Sequence, residues 1–440
     1  MEPVLSLSYS YTSSNYVTNW KGENVIGRLP SVQRNKSQTI FGRLLFSNHY
    51  TQDMMSNKSP NHVTAPITDL RMAQAAANCD MPPPKSLLMY LVRMGSFTSS
   101  PKYLNEDTAD DDLDDSLDRD YLIERCRQEL KRLPNKIIRH WVVVDGHHND
   151  PPQDDLIRVM QWNMLSQALG EKTDNFVSCP LSALDWKLRR WRILEEILTY
   201  RPDIICLQEV DHFNFLKKTL GVLGYLGFFF PKPDSPCYYI KGNNGPDGCA
   251  LFYNAEKFRH VKTCSRILEV WTCQSNQVAL LTLLKRKKDG REICVVTTHL
   301  KARQGTLLPT LRNEQGKDLL DFIRMHFNKR SVVICGDFNA EPTEPVYRTM
   351  LSSQEVKLDS VYRHLSNHGV EPPYTTWKIR EEGEVCQTLD YIFYTPQLLQ
   401  VHSVLQLPTG DDIGVNRVPS FTYPSDHFSL VCDVRFREAS

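Results

Sequence analysis

The chain has 440 residues, 41% of them apolar and 24% charged, with 52 basic residues against 52 acidic ones. This is the composition of a folded protein with a sizeable core, and the length suits two or three domain-sized units. Zero net charge argues against a dedicated polynucleotide binder, which shows a basic excess or stripe. The balance also holds locally, since residues 155–440 carry 35 basic and 33 acidic residues. No window holds 18 consecutive apolar residues, which argues against a membrane span. Twelve cysteines are scattered without a C-x-x-C pair. Several, such as Cys206 and Cys335, sit in apolar strand-like runs, as buried reduced thiols of an intracellular protein do. The cytoplasm is therefore the expected compartment. The first 50 residues are rich in Ser and Asn, with Lys21, Arg28, Arg34, Lys36 and Arg43 against only Glu2 and Glu23. That composition also fits a mitochondrial presequence.

Residues 1–115 show no sustained periodicity and include an acidic run from Glu106 to Asp115. They are expected to be a largely disordered N-terminal extension. Over 116–150 a helix and linker are expected to dock on the catalytic domain, because Leu122, Ile123, Cys126, Leu130 and Leu133 share one helical face before Pro134. From 151 to 440 strands and helices interleave as that one domain. RVMQWNML reads as a strand. Trp191, Leu194, Ile197 and Leu198 form one face of a helix stopped near Arg201-Pro202, and DIICLQEV is a buried strand. QVALLTLLKRKKDGREICVVTTHL reads as two strands around an Asp-Gly turn. A helix over LRNEQGKDLLDFIRMHF leads to the strand SVVICGDF, followed later by TLDYIFY and FSLVCDVRF. Hairpins mixed with β-α steps indicate packed sheets flanked by helices, and oppose a doubly wound parallel sheet.

Six short segments place polar residues where an apolar strand ends: Asn163 in QWNM, Glu209 in LQEV, His299 in TTHL, Asp337 and Asn339 in GDFN, Asp390 in LDYI, and Asp426-His427 in SDH. A strand end is where a sheet presents groups to a cleft. The set suits metal-assisted phosphoryl transfer, offering carboxylates for a hard cation, amides for phosphate oxygens and a His–Asp pairing for proton transfer. Each segment alone is an ordinary cap, turn or buried polar residue. Their occurrence within one stretch, all in the same strand context, carries the weight.

The ordered series QWNM, LQEV, DGCALFY, THLKAR, GDFNAEP, LDYIFY and SDH resembles the exonuclease–endonuclease–phosphatase superfamily. NNGPDGCALF, EPPYTTWKIR and YPSDH bring it nearest to a branch related to the carbon-catabolite-repressor deadenylases. The resemblance implies a four-layer α/β/β/α sandwich and Mg2+ as cofactor. It implies Glu209 as the magnesium ligand with Asn163 beside it, and Asp337 and Asn339 flanking the phosphate. It further implies His427, held by Asp426 or Asp390, as the group that stabilises phosphoryl charge, with His299 contacting the phosphate. Members of that branch hydrolyse the 2′-phosphate of NADP+ and NADPH. Read for that chemistry, Lys232 in FPKP with Lys301 and Arg303 in THLKAR offers three cations, and NNGPDG brings Asn244 toward the ligand. The expected partners are NADP+ and NADPH as substrates, with no membrane and no second subunit. The alternative is a 3′ exonuclease acting on poly(A) RNA, with the same metal chemistry but a basic, aromatic-lined groove.

Overall fold

The computed structural model describes Leu113 and residues 117–144 and 152–438. Apart from Leu113, the extension expected to be disordered lies outside the described residues, as does the end of the expected linker. Two mixed β-sheets face one another. One has seven strands in the order β1 (Trp141–Val143), β14 (Leu399–Leu405), β15 (Leu430–Phe436), β2 (Ile157–Asn163), β3 (Ile204–Val210), β5 (Gly248–Asn254) and β4 (Tyr225–Pro231). The other has six, in the order β10 (Asp359–Ser360), β13 (Asp390–Tyr394), β9 (Ser331–Asp337), β8 (Glu292–His299), β7 (Cys273–Arg286) and β6 (Phe258–Val270). A separate hairpin pairs β11 (Thr376–Arg380) with β12 (Gly383–Gln387).

Each sheet contains one parallel pair, β2 with β3 and β8 with β9, and all its other pairings are antiparallel. A parallel step needs a crossover, and each crossover includes a long helix. Three helices cover the seven-stranded sheet: α1 (Arg119–Leu130), α2 (Trp186–Tyr200) and α3 (Phe213–Val222). The six-stranded sheet is covered by α4 (Leu308–Phe327) and α5 (Pro345–Ser352). The four-layer α/β/β/α sandwich is therefore the fold. The expected hairpin turns at Asp289–Gly290, where Gly290 has φ +75°, the left-handed conformation glycine adopts without strain. Asp185 caps α2 by accepting from the Lys187 amide at 2.9 Å, and Arg201 ends it at φ +47° just before Pro202. The helix stop read from Arg201-Pro202 thus has a definite geometry.

Side-chain alternation divides the apolar residues among the layers. Ile157, Val159, Ile204, Cys206, Ile293, Val295, Val333, Cys335, Ile392 and Tyr394 fill the space between the sheets. Their neighbours Met160, Trp162, Ile205 and Leu207 face α1–α3, while Cys294, Val296, Val332 and Ile334 face α4 and α5. None of the described helices is long and apolar enough to cross a membrane.

The helix expected from Leu122 onward runs over Arg119–Leu130, with Asp118 accepting from the Tyr121 amide at 2.8 Å. It buries Leu122, Cys126 and Leu130 against α2. The core begins earlier than expected. Leu113 is only 7% exposed within this cluster, and Lys218 on α3 donates to its carbonyl at 2.7 Å. A chain beginning at Ser116 should therefore fold but lose about 1.5–3 kcal/mol, the value of burying one leucine. Urea unfolding reads this directly, and an unchanged midpoint would show that the Leu113 contact contributes nothing.

Candidate active site

Because the two sheets face each other, the carboxyl ends of both parallel pairs open into one cleft. Asn163, at the end of β2, donates through Nδ2 to Glu209 Oε1 at 3.0 Å and to Asp337 Oδ2 at 2.9 Å. Its Oδ1 accepts from the Leu165 amide at 3.0 Å. Glu209 lies at a register shift between Leu207 and Val210 and has φ +53°, and its Oε2 accepts from the Ser166 amide at 3.2 Å. Asp337 ends β9 opposite His299 at the end of β8. Asn339 follows with φ +50°; its amide donates to Asp337 Oδ1 at 2.8 Å and its Nδ2 sits 2.9 Å from His299 Nε2.

His427 precedes β15 and Asp390 opens β13, two strands antiparallel to the central pairs, so both start at this same end. His427 Nδ1 lies 2.8 Å from Asp390 Oδ2, which also accepts from Thr375 Oγ1 at 2.7 Å. Asp426 is instead bound to Lys378 Nζ at 2.5 Å and stands 3.8 Å from His427 Nε2. Of the two partners expected for this histidine, Asp390 makes the hydrogen bond. Burial alone would depress the proton affinity of His427. The charges of Asp390, Asp426 and Asp337 outweigh it and push the imidazole up to about 9. Burial has the opposite effect on acids, raising Glu209 to about 7 and Asp337 to about 6. His299 is held well below the usual range by burial and by the Lys232 charge, so it is neutral.

The three expected cations prove unequal. Lys232 is buried and pairs with Asp247 at 2.6 Å, its Nζ lying 3.3 Å from His299 Nδ1. It is a fixed charge in the wall of the site. Lys301 is half-buried and its cation is disfavoured by burial and by the nearby charges of Arg303 and Lys232. Arg303 is exposed, at φ +85°. Neither Lys301 nor Arg303 has an ion-pair partner among the described residues. Asn244 is half-buried, and its Nδ2 donates to the carbonyl of Asp211, just past the end of β3, at 3.0 Å.

Residues 160–427 match the model of the endonuclease/exonuclease/phosphatase family. The chain belongs to that family. It is similar to nocturnin of Drosophila melanogaster, 46% identical with 84% of this chain and 66% of the fly protein covered. Human nocturnin is 48% identical, with 81% and 82% covered. Among solved structures, the human nocturnin catalytic domain with bound sulfate anion matches at TM-score 0.57 and 44% identity, covering 68% of this chain and 98% of that one. The exoribonuclease subunit Ccr4 of Candida albicans is 27% identical, with 71% and 46% covered.

Members of this family use a divalent metal. Asp337, Asp390 and His427 bring one ligand atom each within 4.8 Å of one another. His427, however, is engaged by Asp390 and holds its proton, and an imidazolium offers no lone pair to a metal. Oxygen donors suit a hard cation better. Glu209 and Asp337, two acids bridged by a single Asn163 amide and both raised by burial, are the residues whose charge a cation would relieve.

Several supports escaped the sequence reading. Gln161 and Gln208 exchange amide hydrogen bonds at 2.6 and 2.8 Å beneath the cluster, and Gln208 reaches Thr297 Oγ1 at 2.9 Å. Gln161 also donates to Asp390 Oδ1 at 3.3 Å. Gln161 lies one alternation before Asn163 on the same inward face, and Gln208 is level with Asn163 on the neighbouring strand; that spacing was the available signal. The β11/β12 hairpin supplies Lys378 and Arg380, the latter paired with Asp174 at 2.8 Å. Buried Arg189 donates to the carbonyls of Leu184, Met164, Pro424 and Leu165 at 2.8–3.1 Å, tying together loops that carry Asn163 and His427. On a helix face it reads as an ordinary surface cation.

The charge states predict a pH dependence. Glu209 and Asp337 have folded proton affinities above their ordinary values of 4.5 and 3.8, and His427 above 6.5. Each contributes stability that is full below the ordinary value and lost as pH rises through about 7, about 6 and about 9 respectively. Above about pH 7, where His299 is neutral in both states and contributes no further change, metal-free protein should therefore lose Tm up to about pH 9 as His427 gives up its proton. A divalent cation needs ionised carboxylates, so it should raise Tm more at about pH 8 than at about pH 5. A calorimetric shift at the lower pH equal to or larger than that at the higher would contradict the assignment.

Proposed function

We propose that the chain is a magnesium-dependent phosphatase that removes the 2′-phosphate of NADP+ and NADPH, giving NAD+ and NADH. One observation carries the reading: Lys301 and Arg303, which follow His299 at the end of β8, stand without ion-pair partners among the described residues. Lys232, Lys378 and Arg380 all have carboxylates. Unpaired cations beside a buried acid-histidine cluster suit a compact, multiply charged anion. The sulfate bound by the human nocturnin catalytic domain is an anion of that kind. The fold and the central residues serve phosphoryl transfer in general; these unpaired cations favour the small substrate.

In this reading Glu209 would hold magnesium, with Asn163 and Asp337 beside it. When bound, the ion supplies Lewis-acid polarisation of the phosphoryl oxygen. Asp337, whose proton affinity is raised to about 6, accepts the proton of the attacking water. Asn163 fixes that carboxylate through its 2.9 Å contact. His427, cationic and oriented through Nδ1 by Asp390, presents Nε2–H to the phosphoryl oxygens as negative charge develops. His299 and Asn339 hold the phosphate from the side of the six-stranded sheet. The similarity to Ccr4 supports the second reading, a 3′ exonuclease on poly(A).

Arg303→Ala should lower kcat/KM on NADPH about 10- to 150-fold, the usual effect of losing a charge-assisted contact, with Tm unchanged. Lys232→Ala should also lower Tm, because it leaves Asp247 buried without its cation. Glu209→Ala should retain less than about a tenth of the wild-type rate. Phosphate release from NADP+, NADPH and a short oligoadenylate, with and without magnesium, tests the whole. Shortening of oligoadenylate with no release from NADPH would replace this reading with the exonuclease.

A further inference from the structure

Tyr239 closes a short turn, Pro236–Tyr239, between β4 and β5, and it is 77% exposed. An exposed aromatic side chain is normally free to swing. This one is fastened. Its hydroxyl donates to Asp234 Oδ1 at 2.6 Å. Asp234 is fixed in turn, its amide donating to Asn276 Oδ1 at 2.7 Å while its carbonyl accepts from Asn276 Nδ2.

The base of the turn is equally constrained. The Ser235 hydroxyl accepts from the amides of Cys237 at 3.2 Å and Asp247 at 2.9 Å, and it donates to Asp247 Oδ1 at 2.5 Å. Asp247 is the carboxylate that holds Lys232 against His299. Asp234 also lies close enough to Lys301 to favour its cation. The ring is thus tied at its hydroxyl end and through its backbone to the cations beside His299. No aromatic neighbour packs on it among the described residues, so its faces are open. A ring with a fixed plane and open faces beside a phosphate site suits stacking against a planar base.

We propose that Tyr239 is a stacking platform for a heteroaromatic base of the substrate, a subsite distinct from the residues that handle the phosphate. The choice of NADP+ as first probe rests on the phosphatase reading; the platform itself requires only a nucleotide. The balance of roles is clear from chemistry: Lys301 and Arg303 meet charge, and Tyr239 meets the flat, weakly polar part of the ligand.

The test uses full-length Tyr239→Ala and Tyr239→Trp proteins. Calorimetry measures binding of NADP+, adenosine 2′-monophosphate, a short oligoadenylate and ribose 5-phosphate. Loss of the ring should weaken the base-bearing ligands about 5- to 150-fold, the range for one base stacked on an aromatic side chain. Ribose 5-phosphate should change by less than about twofold, and tryptophan, which keeps an aromatic face but not the tie to Asp234, should recover part of the affinity. Equal losses for NADP+ and adenosine 2′-monophosphate place adenine on the ring, and a loss confined to NADP+ places nicotinamide there. Unchanged binding of every base-bearing ligand, or an equal loss for ribose 5-phosphate, overturns the proposal. Because binding is read without turnover, a wild-type protein that ignores NADPH sinks the phosphatase reading alone, and oligoadenylate then reads the platform.

Discussion

The structure depends on one constraint: two parallel strand pairs, one in each sheet, face each other across a shared apolar layer. Every strand in those pairs must send alternate side chains into that layer. Along most of their length these are Ile, Val and Cys. At the carboxyl ends the same alternation continues with polar residues, running from Ile157 and Val159 to Gln161 and Asn163, and from Ile293 and Val295 to Thr297 and His299. Val333 and Cys335 lead likewise to Asp337. The cleft is therefore the inter-sheet core with its chemistry changed, and the rigidity of the core passes directly to the side chains of the candidate site.

Glu209 breaks this alternation. Ile204 and Cys206 face inward, so Gln208 follows them and Glu209 is due to face the helices. The register shift at Leu207/Val210 and the left-handed backbone at Glu209 turn its carboxylate back to Asn163. A non-glycine residue in that conformation costs about 1–3 kcal/mol, and such strain persists where surrounding contacts over-determine it. Leu165 at φ +62° and Asn339 at φ +50° follow the ends of β2 and β9 in the same way. Three strand exits thus carry left-handed residues around one cleft: Asn163 and the Ser166 amide donate to Glu209, while the Leu165 and Asn339 amides donate to Asn163 Oδ1 and Asp337 Oδ1.

This division explains what the sequence could show. The apolar runs and their polar ends are local, so the central strands, the long helices and the cluster of Asn163, Glu209, His299, Asp337, Asn339, Asp390 and His427 were legible. The choice between Asp390 and Asp426 was not, because it depends on Lys378 arriving from a hairpin 48 residues away to take Asp426. Lys232 was legible as a cation but not as a buried one, since its partner Asp247 lies across the β4–β5 loop. Arg189 and the Gln161–Gln208 pair were hidden for a related reason: glutamine and arginine in a sequence read as surface residues, and only tertiary packing buries them.

The buried amide pair clarifies why the cluster can hold so much charge. Between the apolar layer and the carboxylates lie Gln161, Gln208 and Thr297, whose hydrogen bonds satisfy one another and whose one outward donor reaches Asp390. A carboxylate set directly on Ile and Val would be driven strongly toward its neutral form. Asp390 accepts from Gln161 and Thr375 and pairs with Nδ1 of His427. The imidazole keeps its proton despite burial because the charges of Asp390, Asp426 and Asp337 outweigh it. Among the described residues, Glu209 and Asp337 accept from the shared Asn163 amide and one backbone donor apiece. Burial raises both proton affinities further than those donors lower them, so these two acids are where an added cation would lower the free energy most.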